Sequence, residues 1–317
     1  MIRKLTLSTY PEPLSAVCLG TARFGGEYDE ARSFALLDRY YAMGGRFLDT
    51  ANVYGRWSGR GLNESELTIG KWLKLRQIDD MIVTSKCVHW SPDAPSVSRV
   101  RRECAMRDID ESRRSLGMDE LPIYLTHRDD PETDVRVIVD FMVEMVEHGW
   151  VKRFGFSNYS AERVKTALEY MGDDRHRLFV GVSNEWSLHK EAEIAVRGGT
   201  LERQGEMIVT DLPLWRLHRE TDVPLLSFSA SAHGFYAKLK SSADLSETER
   251  EVYAGLCAEH EKSGVSVNAI SVAYLLNSGV PCIPVVAVSS EKQLAEFEDI
   301  SGWSSDLSSL SPFAKLR

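Results

Sequence analysis

What most limits the folds open to this chain is an alternation: short runs that are apolar at nearly every position, separated by longer stretches of helical spacing. The runs are SAVCLG (15–20), GRFLDT (45–50), MIVTSK (81–86), LPIYLTH (121–127), VKRFGFS (151–157), RLFVGVS (177–183), VPLLSFS (223–229) and VPCIPVVAV (280–288), eight in all. A strand apolar on successive residues is buried on both faces, the condition of a parallel sheet covered by helices. The segments 29–44, 96–117, 134–149 and 160–172 read as helices; the last two repeat apolar residues at helical intervals, and Gly149 and Gly172 stand where C-caps belong. Eight such units predict an α/β chain closed as a (β/α)8 barrel rather than an open doubly wound sheet. An open dinucleotide-binding sheet carries Gly-x-Gly-x-x-Gly directly after its first strand. Here that place holds GTARFGGEYDE (20–30), in which Gly20, Gly25 and Gly26 are wrongly spaced. Its glycine-rich part, GGEYDE (25–30), either approaches a bound cofactor or is a plain βα turn.

A barrel takes roughly 250 residues, so 317 residues hold one barrel with functional loops. With no internal repeat and no Pro-rich linker, residues 1–317 read as a single domain with a core from about 14 to 298. The Ser-rich 299–317 is expected to be a surface tail. Charge excludes one partner class: 38 Lys+Arg against 47 Asp+Glu give a net charge of -9, the wrong sign for a nucleic-acid binder. No run reaches the ~18 apolar residues of a membrane span, and the N-terminus has no apolar core of signal-peptide length. The five cysteines (Cys18, Cys87, Cys104, Cys257, Cys282) form no Cys-x-x-Cys pair. The histidines form no His-x-His or His-Glu-x-x-His pattern, so no metal site and a cytoplasmic location are expected.

In a parallel barrel the reactive groups gather at the C-terminal ends of the strands. Four ionisable residues stand at or just after such ends: Asp49 and Tyr54 in FLDTANVYG, Lys86 in IVTSK, and His127 in IYLTHRDD. Singly each has a plainer reading. Tyr54 could be core, Lys86 a rim lysine, His127 a structural histidine and Asp49 the cap of a turn. Together those readings need four independent coincidences. In order and context the four match the tetrad of the aldo-keto reductase superfamily, which the chain resembles from about residue 14 to about residue 298. The resemblance implies an NAD(P)H-dependent oxidoreductase interconverting a carbonyl and an alcohol. The chemistry fits. A carbonyl accepting hydride develops negative charge on oxygen, which a positioned proton donor relieves. Tyr54 would be that donor, Lys86 would pull its pKa down from the free value near ~10, Asp49 would hold Lys86 charged, and His127 would orient the carbonyl.

The resemblance also implies cofactor contacts, with NADP or NAD as the cofactor. Ser157 and Asn158 fall at the pair that holds the nicotinamide carboxamide, and Ser183, or Asn184 one residue on, at a further nicotinamide contact. Phe228 takes the place of the stacking aromatic, with Ser229 and Ser231 near the pyrophosphate; Gly20, Thr21 and Asp49 line the first turns. VAVSSEKQLAEF (286–297) looks like the adenosine-binding loop and helix, presenting Ser289, Ser290 and Gln293. Members that prefer NADPH carry Lys or Arg there to pair with the 2′-phosphate. Only Lys292 is basic in this stretch, so NADH stays a live choice. Trp57, Trp90 and Arg128 are expected at the substrate pocket, with Arg56, Arg60, His89 and Trp215 nearby. Aromatic plates beside charged donors suit a small-molecule carbonyl of sugar-like kind, while a small aldehyde or an aromatic ketone also fits. Two other functions compete: a nucleotide-sensing regulator on the same fold, which has no need of an intact tetrad, and a non-redox barrel enzyme, which has no need of Ser157–Asn158.

Overall fold

The computed structural model describes residues 1–59, 63–91, 93–200, 207–298, 300, 303 and 306–316. An antiparallel hairpin, β1 (Lys4–Leu7) and β2 (Tyr10–Ser15), precedes the barrel. The barrel strands are β3 (Cys18–Gly20), β4 (Phe47–Asp49), β5 (Ile82–Cys87), β6 (Leu121–Thr126), β7 (Val151–Ser157), β8 (Phe179–Ser183), β9 (Leu225–Ser227) and β10 (Cys282–Val286). All eight are parallel and pair in chain order, and β10 closes the ring by pairing with both β9 and β3. Each expected strand is present: β7 keeps the expected bounds, β5 is shifted by one residue and the other six are shorter. The apolar runs overshoot because the flanking residues pack in loops without entering the ladder.

Near-continuous apolar strands are what a closed sheet with filled faces requires. Cys18, Phe47, Ile123, Leu125, Val180, Leu226 and Ile283 turn one way and form one buried cluster. Val17, Leu19, Leu48, Val83, Tyr124, Phe154 and Phe156 belong to the larger cluster shared with the helices. Leu7, Tyr10 and Leu14 of the hairpin join the first cluster, and Thr9 Oγ1 donates to the Val180 carbonyl at 2.8 Å. The hairpin therefore stoppers the end of the barrel where strands begin. Its polar, Pro-containing sequence TLSTYPEPLS hid it from the periodicity.

Around the barrel run α1 (Glu30–Ala42), α2 (Glu64–Arg76), α3 (Arg102–Leu116), α4 (Val135–Glu147), α5 (Ala161–Met171), α6 (Arg175–Leu178), α7 (Leu188–Ala195), α8 (Leu212–Thr221), α9 (Glu247–Ser263), α10 (Val267–Leu276) and α11 (Glu291–Ala295). Asp29, Asp134 and Ser160 cap α1, α4 and α5 by accepting from the backbone N–H groups of Arg32, Arg136 and Arg163. Among the described residues no helix is long and apolar enough to cross a membrane.

Two expectations are corrected. The helix expected from residue 96 begins at Arg102, because Arg99 is drawn inward to bond the His89 carbonyl at 2.8 Å and the Asp108 carboxylate at 2.5 Å. The end of the chain is not a surface tail: Leu307, Leu310 and Phe313 are buried. The carboxylate of Glu191, on α7, accepts from Ser311 Oγ at 2.6 Å and from the Phe313 N–H at 2.9 Å. Serine content suggested solvation, yet the Ser311 hydroxyl serves an internal anchor.

Candidate active site

Asp49 ends β4, and the chain beyond it keeps running alongside β5. The Thr50 N–H donates to the Thr84 carbonyl at 2.9 Å and the Asn52 N–H to the Lys86 carbonyl at 3.1 Å. This pseudo-strand delivers Tyr54 to Lys86. The turn that follows needs a glycine: Gly55 has φ +94°, and a Cβ there would lie 2.4 Å from Glu64 Cβ. His127 follows β6, its N–H bonded to the Cys87 carbonyl at 2.8 Å.

These elements bring the four expected residues together. Lys86 Nζ donates to Asp49 Oδ1 at 2.7 Å, to the Thr50 carbonyl at 2.8 Å and to Tyr54 Oη at 3.5 Å. The His127 ring stands 5.6 Å from the Tyr54 ring, edge-on at 80°. Asp49, Lys86 and His127 are buried, while Tyr54 is half-buried and opens into the cleft. Burial alone would pull the Lys86 ammonium down, but Asp49, with Tyr54, holds it above its ordinary value. Tyr54 differs from expectation: burial raises its phenol and outweighs the downward pull of Lys86. Burial, helped by His89, Lys86 and Arg128, keeps the His127 imidazole well below its usual range. His89 is pushed down to about 4 by burial and then by Arg128. The site thus presents a protonated phenol, an ammonium and two neutral imidazoles at neutral pH.

The tetrad sits in a cleft of about 790 Å³ whose wall also includes Gly20, Ser157, Asn158, Ser183, Phe228, Ser229, Ser231, Ser289, Gln293 and Arg128, all singled out by sequence. Four others are corrected. Asn184 is wholly buried: its amide accepts from the N–H groups of Asn158 and Tyr159 and donates to the Tyr159 carbonyl, pinning the loop behind the wall. Thr21 faces a buried hydroxyl cluster, with Oγ1 on the Asp49 carbonyl and 2.8 Å from Ser65 Oγ. Ser290 caps α11 through the Gln293 N–H. Trp90 packs its ring 4.7 Å from that of His89 and does not line the cleft. The Trp57 side chain and Arg60 lie outside the described residues, and Trp215 is buried against Phe313.

Sequence reasoning missed Arg23, His233, Lys238, Asn268 and Glu296, all on the cleft wall. Arg23 could have been found by following the chain three residues past Gly20. Asn268 and Glu296 carry no local signal, because they meet only when α10 packs beside α11: Asn268 Nδ2 donates to Glu296 Oε2 at 3.3 Å.

A model of the Aldo/keto reductase family matches residues 16–301. The uncharacterised oxidoreductase YrpG of Bacillus subtilis is 28% identical over 302 residues, covering 89% of this chain and 86% of that protein. Norsolorinic acid reductase stcV of Emericella nidulans is 25% identical over 304 residues, covering 89% of this chain and 72% of the relative. Among solved structures, the thermostable aldo-keto reductase Tm1743, in complex with the inhibitor epalrestat, matches 98% of this chain and 100% of its own with a TM-score of 0.74. At 20% identity that likeness speaks to the fold.

Proposed function

The chain belongs to the aldo/keto reductase family and is an NAD(P)-dependent oxidoreductase, and from that premise we propose that it interconverts a carbonyl and an alcohol with Tyr54 as general acid and base. The observation that carries the reading is the meeting of phenol, ammonium and carboxylate, with Lys86 Nζ 3.5 Å from Tyr54 Oη and 2.7 Å from Asp49 Oδ1. Raised by burial, Tyr54 keeps its proton at neutral pH and can give it to the carbonyl oxygen. Lys86 then stabilises the phenolate left behind, and Asp49 keeps Lys86 charged. Neutral His127 offers a hydrogen bond that aims the carbonyl without competing as an acid.

The wall fits a nicotinamide dinucleotide. Ser183 Oγ is buried without a protein partner and lines the cleft, and Phe228 offers a half-buried ring. Ser157, Ser183 and Phe228 would hold the nicotinamide, Ser229 and Ser231 the pyrophosphate, and Ser289 and Gln293 the adenosine end. The Asn158 amide already serves the protein, donating to the His127 carbonyl at 3.0 Å and accepting from the Ile208 N–H at 3.0 Å. Its part is to shape the wall. The bound cofactor supplies the hydride. Arg128 and His89 near the tetrad favour a polar carbonyl substrate, sugar-derived ones included.

Titration with NADPH and NADH, followed by tryptophan fluorescence, tests cofactor binding; no quenching by either sinks the reading. Turnover on a panel of a sugar aldehyde, an aliphatic aldehyde, an aromatic ketone and norsolorinic acid then separates an enzyme from a nucleotide sensor, which would bind and not turn over. Tyr54→Phe should lower turnover by at least ~100-fold, the scale of a lost general acid, while cofactor affinity stays within about twofold. Equal rates for both proteins would reject the role given to Tyr54.

A further inference from the structure

The adenosine loop has no arginine, and of its residues only Lys292, exposed on α11, is basic. Its polar side chains are turned on one another: the N–H and Oγ of Ser289 both bond Gln293 Oε1, at 2.7 and 2.8 Å. A different element reaches the loop from outside. Tyr28, in the stretch between β3 and α1, donates its hydroxyl to the Val288 carbonyl at 3.3 Å and accepts from Arg23 at 3.2 Å. Arg32, in the first turn of α1, lays its guanidinium 3.8 Å above the Tyr28 ring and donates to the Ser289 carbonyl at 2.6 Å. Arg32 is exposed and does not line the cleft; it meets the cleft wall at Ser289.

We propose that Arg32, supplied by α1 rather than by the adenosine loop, is the cation that reads the 2′-phosphate, so that NADPH is preferred over NADH. The proposal rests on the cofactor reading above and deepens it.

The nearby carboxylates are already engaged: Asp29 caps α1, Glu30 pairs with Lys71 at 2.5 Å, and Glu27 pairs with Arg23 at 3.4 Å. Among the described residues Arg32 has no ion pair of its own. Only one of its five N–H groups is spent on Ser289, and the Tyr28 ring 3.8 Å from the guanidinium carbon helps hold the fork in place. A planar, pre-oriented guanidinium suits a phosphate better than a mobile ammonium such as Lys292. The glycine-bearing stretch 20–30 then has a task beyond turning the chain: it carries Arg23 to the cleft wall and Tyr28 to the loop where Arg32 stands.

The test is a set of dissociation constants for NADPH and NADH, measured on the wild type, Arg32→Gln and Lys292→Gln by fluorescence titration or calorimetry. Glutamine removes the charge but keeps an N–H for Ser289, so the loop contact can persist. Expected is a wild type that binds NADPH at least ~10-fold more tightly than NADH, with Arg32→Gln weakening NADPH about tenfold and NADH by less than about twofold, the scale of a hydrogen bond to a charged group. The wild-type preference should also shrink as salt is added. The proposal is overturned by a wild type that binds the two cofactors alike, by a preference lost in Lys292→Gln and kept in Arg32→Gln, or by equal weakening of both cofactors in Arg32→Gln, which marks a purely structural knot. Binding of neither cofactor would bring down the oxidoreductase reading as well; a failure confined to Arg32 would leave that reading standing.

Discussion

At the scale of single residues, the site is governed by what burial does to charge. Lys86 keeps its proton because a carboxylate sits 2.7 Å away. Without that carboxylate only the downward pull of burial and the weaker help of Tyr54 remain. Asp49→Asn preserves shape and hydrogen bonding but removes the anion, so the Lys86 pKa should fall and the ammonium be lost at lower pH. The expected outcome is a kcat/KM lower by roughly 10- to 100-fold at neutral pH. The alkaline limb of the pH profile should move to lower pH. An alkaline limb that stays in place would mean that Asp49 does not hold the charge on Lys86. The tetrad was legible because each member lies at or just beyond the C-terminal end of a strand and brings a distinct chemical group. Asn184 was misread for a physical reason: a polar residue at a strand end can spend its amide on its own loop, and one-dimensional position does not tell the two uses apart.

At the scale of elements, the legible parts were those whose environment is uniform along their length. Strands β5 and β6 are buried along nearly their whole length and β7 from Phe154 onward, so their apolar runs announced them. The hairpin escaped because it buries only one face, its residues alternating with prolines and polar groups. The C-terminal segment escaped because its anchor is a buried polar contact. Glu191, itself raised above the usual carboxylate range by burial, holds that segment through Ser311 and Phe313 while accepting from Tyr274 Oη at 2.8 Å. Glu191→Ala leaves those donors without an acceptor, and such unpaired buried groups cost about 1–3 kcal/mol each. A loss of roughly 2–4 kcal/mol in unfolding free energy is expected, with faster amide exchange over 307–316 measured by hydrogen–deuterium exchange. Unchanged exchange in that segment would show that apolar contacts, such as Phe313 against Trp215, hold it alone.

At the scale of the whole molecule, stability should depend on pH through an acid outside the cleft. Glu66, on α2, is buried behind β5, with Oε1 accepting from Ser85 Oγ at 2.5 Å. Its carboxyl is pushed up from 4.5 to about 7 by burial, with Asp108 and Glu111 adding to the rise against the hydrogen bonds of Ser85 and Ser112. The folded chain therefore binds this proton more tightly than the unfolded chain does. The contribution to stability is fully present below the unfolded pKa of about 4.5 and is lost as pH rises through about 7. At about 1.4 kcal/mol per pKa unit, the span corresponds to about 3 kcal/mol. Glu66→Gln cannot titrate, so the comparison cancels every group that does not interact with Glu66. Urea unfolding of both proteins at several pH values from 5 to 8 should show the wild type losing most of that ~3 kcal/mol relative to the glutamine variant. Parallel stability curves would mean that Glu66 carries the same charge in the folded and unfolded chains, and that the space between α2, α3 and β5 is more polar than its side chains imply.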